Sequence, residues 1–435
     1  MFRLKSKIAF ALLTGALTLP ALAAAQAPQA ALLGGGSDDL AFSAVERRQL
    51  TEDVAEYFFK VRVGAGAFEE IGIHRVVRET APNVPARTSK AVFLAHGDVW
   101  NFRGAFLTAS ASAALPDSQS LPVFLAENGV DVWGIDFRWT FVPQGTTDFS
   151  FMEDWGIETD ARDLGIALGV ARVTRALTGS GFGKIHLLGW SRGGQTGYAY
   201  LNTESQLPQG LRQVKGFIPA DIFLKTDDEA LRQAACDRVT GLAGAPPQSE
   251  NGVLFQLLGV LANADPNGAS PIPLFAGLTN RQAALFVGTL TFQIFQPVPF
   301  YHFVAGTFDA NSLPNGLLYT DETAFFDFES LASPYEPNQV VIDGDAVVCD
   351  QTDVAFDDHL EDITVPVLYV GAGGGFGEFG VYTTTLLGST DVTTLIVDKA
   401  PDAARIIDYG HAELFLANDA QALVWQPILD WIQAH

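Results

Sequence analysis

Six short runs of this chain are apolar at nearly every position, and they constrain its architecture more tightly than any other feature. They are Ala91–Ala95, Val130–Ile135, Ile185–Leu188, Val214–Ile218, Val365–Val370 and Thr393–Val397. A strand with one wet face alternates apolar and polar residues. A strand that is apolar throughout is covered on both faces, as in a parallel sheet clothed by helices. The intervals agree. Between Glu158 and Leu177, the residues Ala161, Leu164, Leu168, Ala171 and Leu177 recur at helical spacing, and residues 412–434 predict a second long amphipathic helix through Leu414, Leu423, Ile428 and Trp431. Earlier, Tyr57–Val63 and Ile71–Arg78 alternate and predict two further strands. This order predicts an α/β fold with a doubly wound, mostly parallel sheet, whose functional groups stand at the carboxyl ends of strands.

One region breaks the rhythm. Residues 222–364 hold apolar helical segments, Val253–Leu261 and Gln282–Phe295, between Pro/Gly clusters such as Asp265-Pro-Asn-Gly268 and Pro297–Pro299. Lying between two sheet strands, they predict a large, mainly helical cap inserted between late strands, with the core over 46–221 and 365–435. Eight phenylalanines from Phe255 to Phe308, with Tyr301, either line an apolar site or form the cap's own core.

The beginning of the chain reads as an address. Arg3, Lys5 and Lys7 precede an apolar stretch, Ile8–Leu17, and Pro20–Ala25 offers small-residue cleavage sites after Ala23 or Ala25. A signal peptide over 1–25 and a flexible, Ala/Gly-rich leader over 26–45 are expected. The apolar stretch is short for a span and no cysteine follows it to take a lipid, so a periplasmic or secreted protein without a stable membrane anchor is expected. Losing three basic residues takes the net charge from −24 to −27, which opposes nucleic-acid phosphates as partners. The two cysteines, Cys236 and Cys349, both fall in the cap and are expected to pair in an oxidising compartment. No His/Cys/carboxylate cluster has metal-ligand spacing, so no metal site is expected.

Chemistry enters at three turns. The run Lys184–Leu188 passes into Gly189-Trp190-Ser191-Arg192-Gly193 and then into a helix-compatible stretch, Gly193–Ala199. A Gly-x-Ser-x-Gly turn between strand and helix lifts the serine hydroxyl clear of the sheet, with glycines where side chains would collide. Chance supplies roughly 0.2 such matches in a chain of this glycine content, so the strand–turn–helix context carries the argument. After an earlier strand, Ala95-His96-Gly97-Asp98 nominates the Asp98 and Arg192 amides as oxyanion donors. His96, Gly97 and Trp190 are expected to line the substrate site beside them. Asp408-Tyr409-Gly410-His411 follows the last strand and offers a general base, because imidazole accepts and returns a proton near neutral pH.

In that order, Ala95-His96-Gly97, Gly189-Trp-Ser-Arg-Gly-Gly194 and Asp408-Tyr-Gly-His411 resemble the α/β-hydrolase superfamily, closest to its esterase and lipase branches. The resemblance spans 55–221 and 365–435 and leaves the cap unmatched. It implies a Ser–acid–His triad with Ser191 as nucleophile and His411 as base, cleaving an ester, lactone or related acyl bond of a largely apolar substrate through an acyl-enzyme, without a cofactor. The acid departs from the pattern. Most members carry Asp just beyond the penultimate strand, where this chain has Gly373-Gly374-Gly375. Asp221, already at a strand end in Gly216–Asp221, is preferred; Glu378 is the alternative acid and needs the glycine loop to fold back. The gap at the usual position keeps open a catalytically silent binding protein, and an acyltransferase sharing the acyl-enzyme also stays open. Ser191 argues against epoxide hydrolase and haloalkane dehalogenase chemistry, which would place Asp there. Acyl length and oligomeric state are left open.

Overall fold

The apolar runs are neighbouring strands in the computed structural model, which describes residues 42–295 and 297–435. The expected signal peptide and residues 26–41 of the expected leader lie outside the described residues. The last leader residues run beside a strand: Phe42 bridges Val61, and the Ser43 N–H donates to Lys60 O at 3.0 Å.

The strands are β1 (Glu46–Gln49), β2 (Val54–Arg62), β3 (Glu70–Ala81), β4 (Lys90–Ala95), β5 (Val130–Asp136), β6 (Ile185–Trp190), β7 (Val214–Ala220), β8 (Val367–Ala372) and β9 (Val392–Val397). They follow the order β1-β2-β3-β5-β4-β6-β7-β8-β9 in a ten-stranded sheet, whose remaining member, Val84–Pro85, pairs with β3. The β1 to β3 meander joins β5 antiparallel, and every pairing from β5 to β9 is parallel. Each residue of β5 and β6 is buried. Val92 and Leu94 of β4 enter one apolar cluster, while Ala91, Phe93 and Ala95 enter the other, so the sheet separates two cores. β9 differs from its expected burial, because it is the sheet edge and only Val397 is buried.

Helices α1 (Phe102–Phe106), α2 (Leu121–Glu127), α3 (Ile157–Leu177) and α4 (Arg192–Ser205) fall between the core strands. Between β7 and β8 the chain forms α5 (Glu229–Leu242), α6 (Asn251–Ala264), α7 (Asn280–Thr289), α8 (Glu322–Ser330) and α9 (Asn338–Cys349). The pattern over Gln282–Phe295 overruns α7, which a Thr279/Gln282 capping box opens and which stops at Thr289. Cys236 and Cys349 form a disulfide that ties α5 to α9 with their Cα atoms 4.8 Å apart. Short α10 (Val381–Thr385) follows β8.

The single helix expected over 412–434 is broken. α11 (Glu413–Leu416) ends where Ala417 turns extended, and the next amide, of Asn418, donates to Tyr319 O at 2.9 Å. A π-helical turn, Gln421–Trp425, then leads into α12 (Gln426–Ala434). An external acceptor has replaced the intrahelical one.

A buried ionic cluster joins β2, β3 and the end of β5. His74 places Nδ1 2.8 Å from Glu56 Oε1 and Nε2 3.0 Å from Asp136 Oδ2, and Arg103 Nε donates to Glu56 Oε1 at 2.8 Å. Burial works against the Glu56 charge, but His74 and then Arg103 hold its carboxyl down to about 2 from the usual 4.5. Burial likewise works against a charged His74, and Asp136 and Glu56 raise its pKa above 6.5. The Glu56 contribution is therefore complete above 4.5 and is lost as pH falls towards 2; that of His74 is complete below 6.5 and fades as pH rises through its folded value. Chemical denaturation between pH 5 and 2 is expected to show Glu56 supplying about 3 kcal/mol of the acid-labile stability. Glu56→Gln should flatten that limb. Parallel wild-type and variant curves would remove Glu56 from the account.

Candidate active site

Ser191 stands between β6 and α4 with φ 56° and ψ −131°, a backbone conformation strained for any L-residue. The surroundings enforce it: the Ser191 N–H donates to Ala220 O at 2.9 Å, and its carbonyl accepts from Gly194 N–H at 2.8 Å. Close approach explains the neighbouring glycines. A Cβ on Gly193 would overlap the carbonyls of Ala95 and His96, and one on Gly97 would lie 3.1 Å from Ser191 Oγ. The His96–Gly97 turn thus packs directly against the serine.

His96 is buried and its pKa is lowered by that burial. As a neutral ring it donates from Nδ1 to Gly97 O at 2.9 Å and accepts the Phe137 N–H at Nε2 at 3.4 Å, which fixes the turn. The Asp98 carboxylate is taken by Arg192, whose Nε and Nη2 lie 3.0 and 3.2 Å from its two oxygens. Among the described residues the Asp98 N–H has no hydrogen-bond acceptor. Arg192 is the first residue of α4, so its amide has no acceptor within the helix.

His411 and Asp221 meet although 190 residues separate them: His411 Nδ1 is 2.6 Å from Asp221 Oδ2. Asp221 directly follows β7 with φ 48° and is fully buried. Its Oδ1 accepts from Ala372 and Gly377 N–H at 2.9 and 2.8 Å, and its Oδ2 from Phe376 N–H at 3.1 Å. These donors come from the last residue of β8 and the glycine-rich loop that follows it, and the glycine there has a reason: a Cβ on Gly375 would overlap Asp221 Oδ2. Glu378, the alternative, is largely exposed and pairs with Arg405.

The His411 backbone is equally fixed. Its N–H donates to His302 O at 2.9 Å, and the preceding Gly410 N–H donates to Glu413 Oε2 at 2.6 Å. Burial pushes the Glu413 carboxyl up to about 8. The Trp190 ring stacks on the His411 ring at 4.8 Å, and Tyr301 and Phe376 close in at 5.2 and 5.6 Å.

Ser191, His411, Asp98, Arg192 and Trp190 open onto one cavity of about 240 Å³. His96 and Gly97 sit behind it. Of the aromatic residues on the inserted segment, Phe255, Phe295, Tyr301 and Phe303 line the cavity, whereas Phe275 packs on Phe286 and Phe292 on Phe300. The rings therefore divide between the cavity wall and contacts within the inserted segment, with Phe300 left exposed. Sequence reasoning missed a polar end formed by Gln195, Arg238, Asn251, Glu336 and Asp345. Nothing local marks them, since tertiary packing alone brings them together. Among the described residues no hydrogen bond joins Ser191 Oγ to His411 Nε2.

Among known proteins, no family model and no curated sequence matches this chain. Solved structures do. A candidate lipase from Sulfolobus solfataricus superposes with a TM-score of 0.60 at 18% identity, over 90% of this chain and 99% of that one. An esterase from Thermogutta terrifontis gives a TM-score of 0.40 at 13% identity, over 90% and 99% of the two chains. A monoglyceride lipase from Saccharomyces cerevisiae gives 0.41 at 12%, over 90% and 94%. With the strand order and the parallel pairing, the first of these likenesses establishes the architecture. The chain has the α/β-hydrolase fold.

Proposed function

We propose that this protein is an exported serine hydrolase that cleaves a carboxylic ester, lactone or related acyl bond of a largely apolar substrate. The observation that carries the reading is the buried Asp221 carboxylate 2.6 Å from His411 Nδ1, with His411 and Ser191 facing one cavity. Ser191 Oγ attacks the acyl carbon as His411 Nε2 takes its proton, and Asp221 orients the ring and stabilises the imidazolium. The carbonyl electrons move onto oxygen, where the Asp98 and Arg192 amides receive them. Collapse expels the alcohol, which takes the proton from His411, and water activated by the same base releases the acid. Catalytic pairs are often loose before substrate binds, which accommodates the absent Ser191–His411 hydrogen bond.

The aromatic lining supports apolar acyl or alcohol groups, with residues 222–364 acting as a cap that excludes water. The disulfide supports an oxidising compartment, and among the described residues no helix is long and apolar enough to cross a membrane. The mature protein is tested with short p-nitrophenyl esters under stopped flow. A nitrophenol burst approaching one equivalent of enzyme, followed by steady turnover, is expected where deacylation is the slower step. No release from any ester by folded protein would favour the silent binding protein, and ester exchange outpacing hydrolysis with added alcohol would favour the acyltransferase.

A further inference from the structure

The turn that carries the Asp98 amide is gripped by the inserted segment. Val99 has a φ of 59°, in the left-handed region where a β-branched side chain is strained. Such a conformation persists only where its surroundings over-determine it. Here both backbone groups of Val99 are held by residues 332–336. Ser333 N–H donates to Val99 O at 2.5 Å, Val99 N–H donates to Glu336 Oε2 at 2.8 Å, and Trp100 bridges Ala332. The peptide that Glu336 holds is the one linking Asp98 to Val99, so its plane is set one residue from the oxyanion donor. Glu336 is buried, and it lines both the substrate cavity and a pocket of about 10 Å³ behind the turn.

We propose that Glu336 is a positioning residue for the oxyanion hole: its carboxyl, supplied by the inserted segment, holds the Asp98–Val99 turn in the strained geometry that presents the Asp98 amide to the substrate. The proposal rests on the serine-hydrolase reading and deepens it. Glu336 does no chemistry on the substrate. It acts through the backbone and makes the inserted segment a structural part of the catalytic centre.

Electrostatics supply a readout that a merely structural role would not move. Burial pushes the Glu336 carboxyl up to about 8 and Asp98 adds to the rise, while the Val99 amide and Arg192 oppose it. The charged and titratable groups facing it are Asp98 and His96 on the turn after β4, Arg192 on α4 and Asp160 on α3; Arg238 on α5, Asp345 on α9 and His411 share its cavity. Below that pH Glu336 accepts from Val99 without placing a charge beside the forming oxyanion. Above it, a carboxylate opposes the oxyanion and kcat falls.

Glu336→Gln and Glu336→Ala are compared with wild type on one p-nitrophenyl ester, with a melting curve for each. Glutamine keeps an acceptor and cannot ionise, so this variant keeps most of its kcat at pH 7. Its kcat relative to wild type should rise between pH 7 and 9, a ratio that cancels the ionisation of Glu413. Alanine leaves the Val99 amide unpaired, and kcat should fall about 100-fold with a much smaller change in KM. An alanine variant with wild-type kcat, or a folded glutamine variant as impaired as alanine, overturns the proposal. Should alanine fail to fold, the glutamine ratio decides, and a ratio flat across pH 7–9 overturns it. Labelling of wild-type Ser191 by a fluorophosphonate tests the hydrolase reading separately: a labelled enzyme with an unaffected Glu336→Ala variant fails only the Glu336 assignment.

Discussion

Replacing Ser191 by alanine is expected to lower kcat by about five to six orders of magnitude while KM and the melting temperature stay near wild type. The backbone at 191 is held by bonds to Ala220 and Gly194 that do not involve the hydroxyl, so alanine inherits the same strained turn. What disappears is the nucleophile. The Asp98 and Arg192 amides and the aromatic walls remain, and a residual rate of about 10³ over water is expected from them. His411→Ala should cost nearly as much. The double variant should be little worse than either single one, because the two groups act as a unit. Single-turnover release of p-nitrophenol measures all three, and independent, multiplying effects would contradict the pairing.

Asp221→Asn is the second large effect, with kcat expected to fall about 10⁴-fold. Both carboxylate oxygens of Asp221 accept: Oδ1 from Ala372 and Gly377 N–H, Oδ2 from Phe376 N–H and His411. An asparagine has one oxygen to offer. Its NH₂ must face either two backbone donors or the imidazole, and in the second case it reverses the tautomer that His411 needs. The mismatch in a fully buried site should also cost about 1–3 kcal/mol of stability. Glu378→Gln, on an exposed side chain paired with Arg405, should leave kcat within about twofold of wild type. The opposite ranking, a severe Glu378 effect and a mild Asp221 effect, would reassign the acid.

The sheet was legible because its buried strands are nearly uniformly apolar: Val130–Ile135 and Ile185–Leu188 lie within β5 and β6. Ser191 and the His96–Gly97 turn were legible because each stands directly after a strand, and His411 because it is a Gly-preceded histidine on the loop between the last strand and the final helices. The carboxylate partner of His411 was a choice between Asp221 and Glu378 because it depends on how Gly373–Gly377 folds around a carboxylate from another strand, and glycine spacing does not encode that path. The broken helix after His411 hid for a related reason. Its apolar spacing is helical, but the Asn418 amide finds its acceptor on Tyr319, far away in sequence. Glu336 was silent for the same cause, as 237 residues separate it from the Val99 amide it holds.

Active-site labelling tests the central claim most directly. The folded protein is treated with a fluorophosphonate, digested and mapped by mass spectrometry. One adduct on Ser191 is expected, absent from Ser191→Ala and formed far more slowly in Asp221→Asn. A folded wild-type protein that takes no label, or takes it on another residue, would contradict the assignment of Ser191, His411 and Asp221 as a catalytic unit.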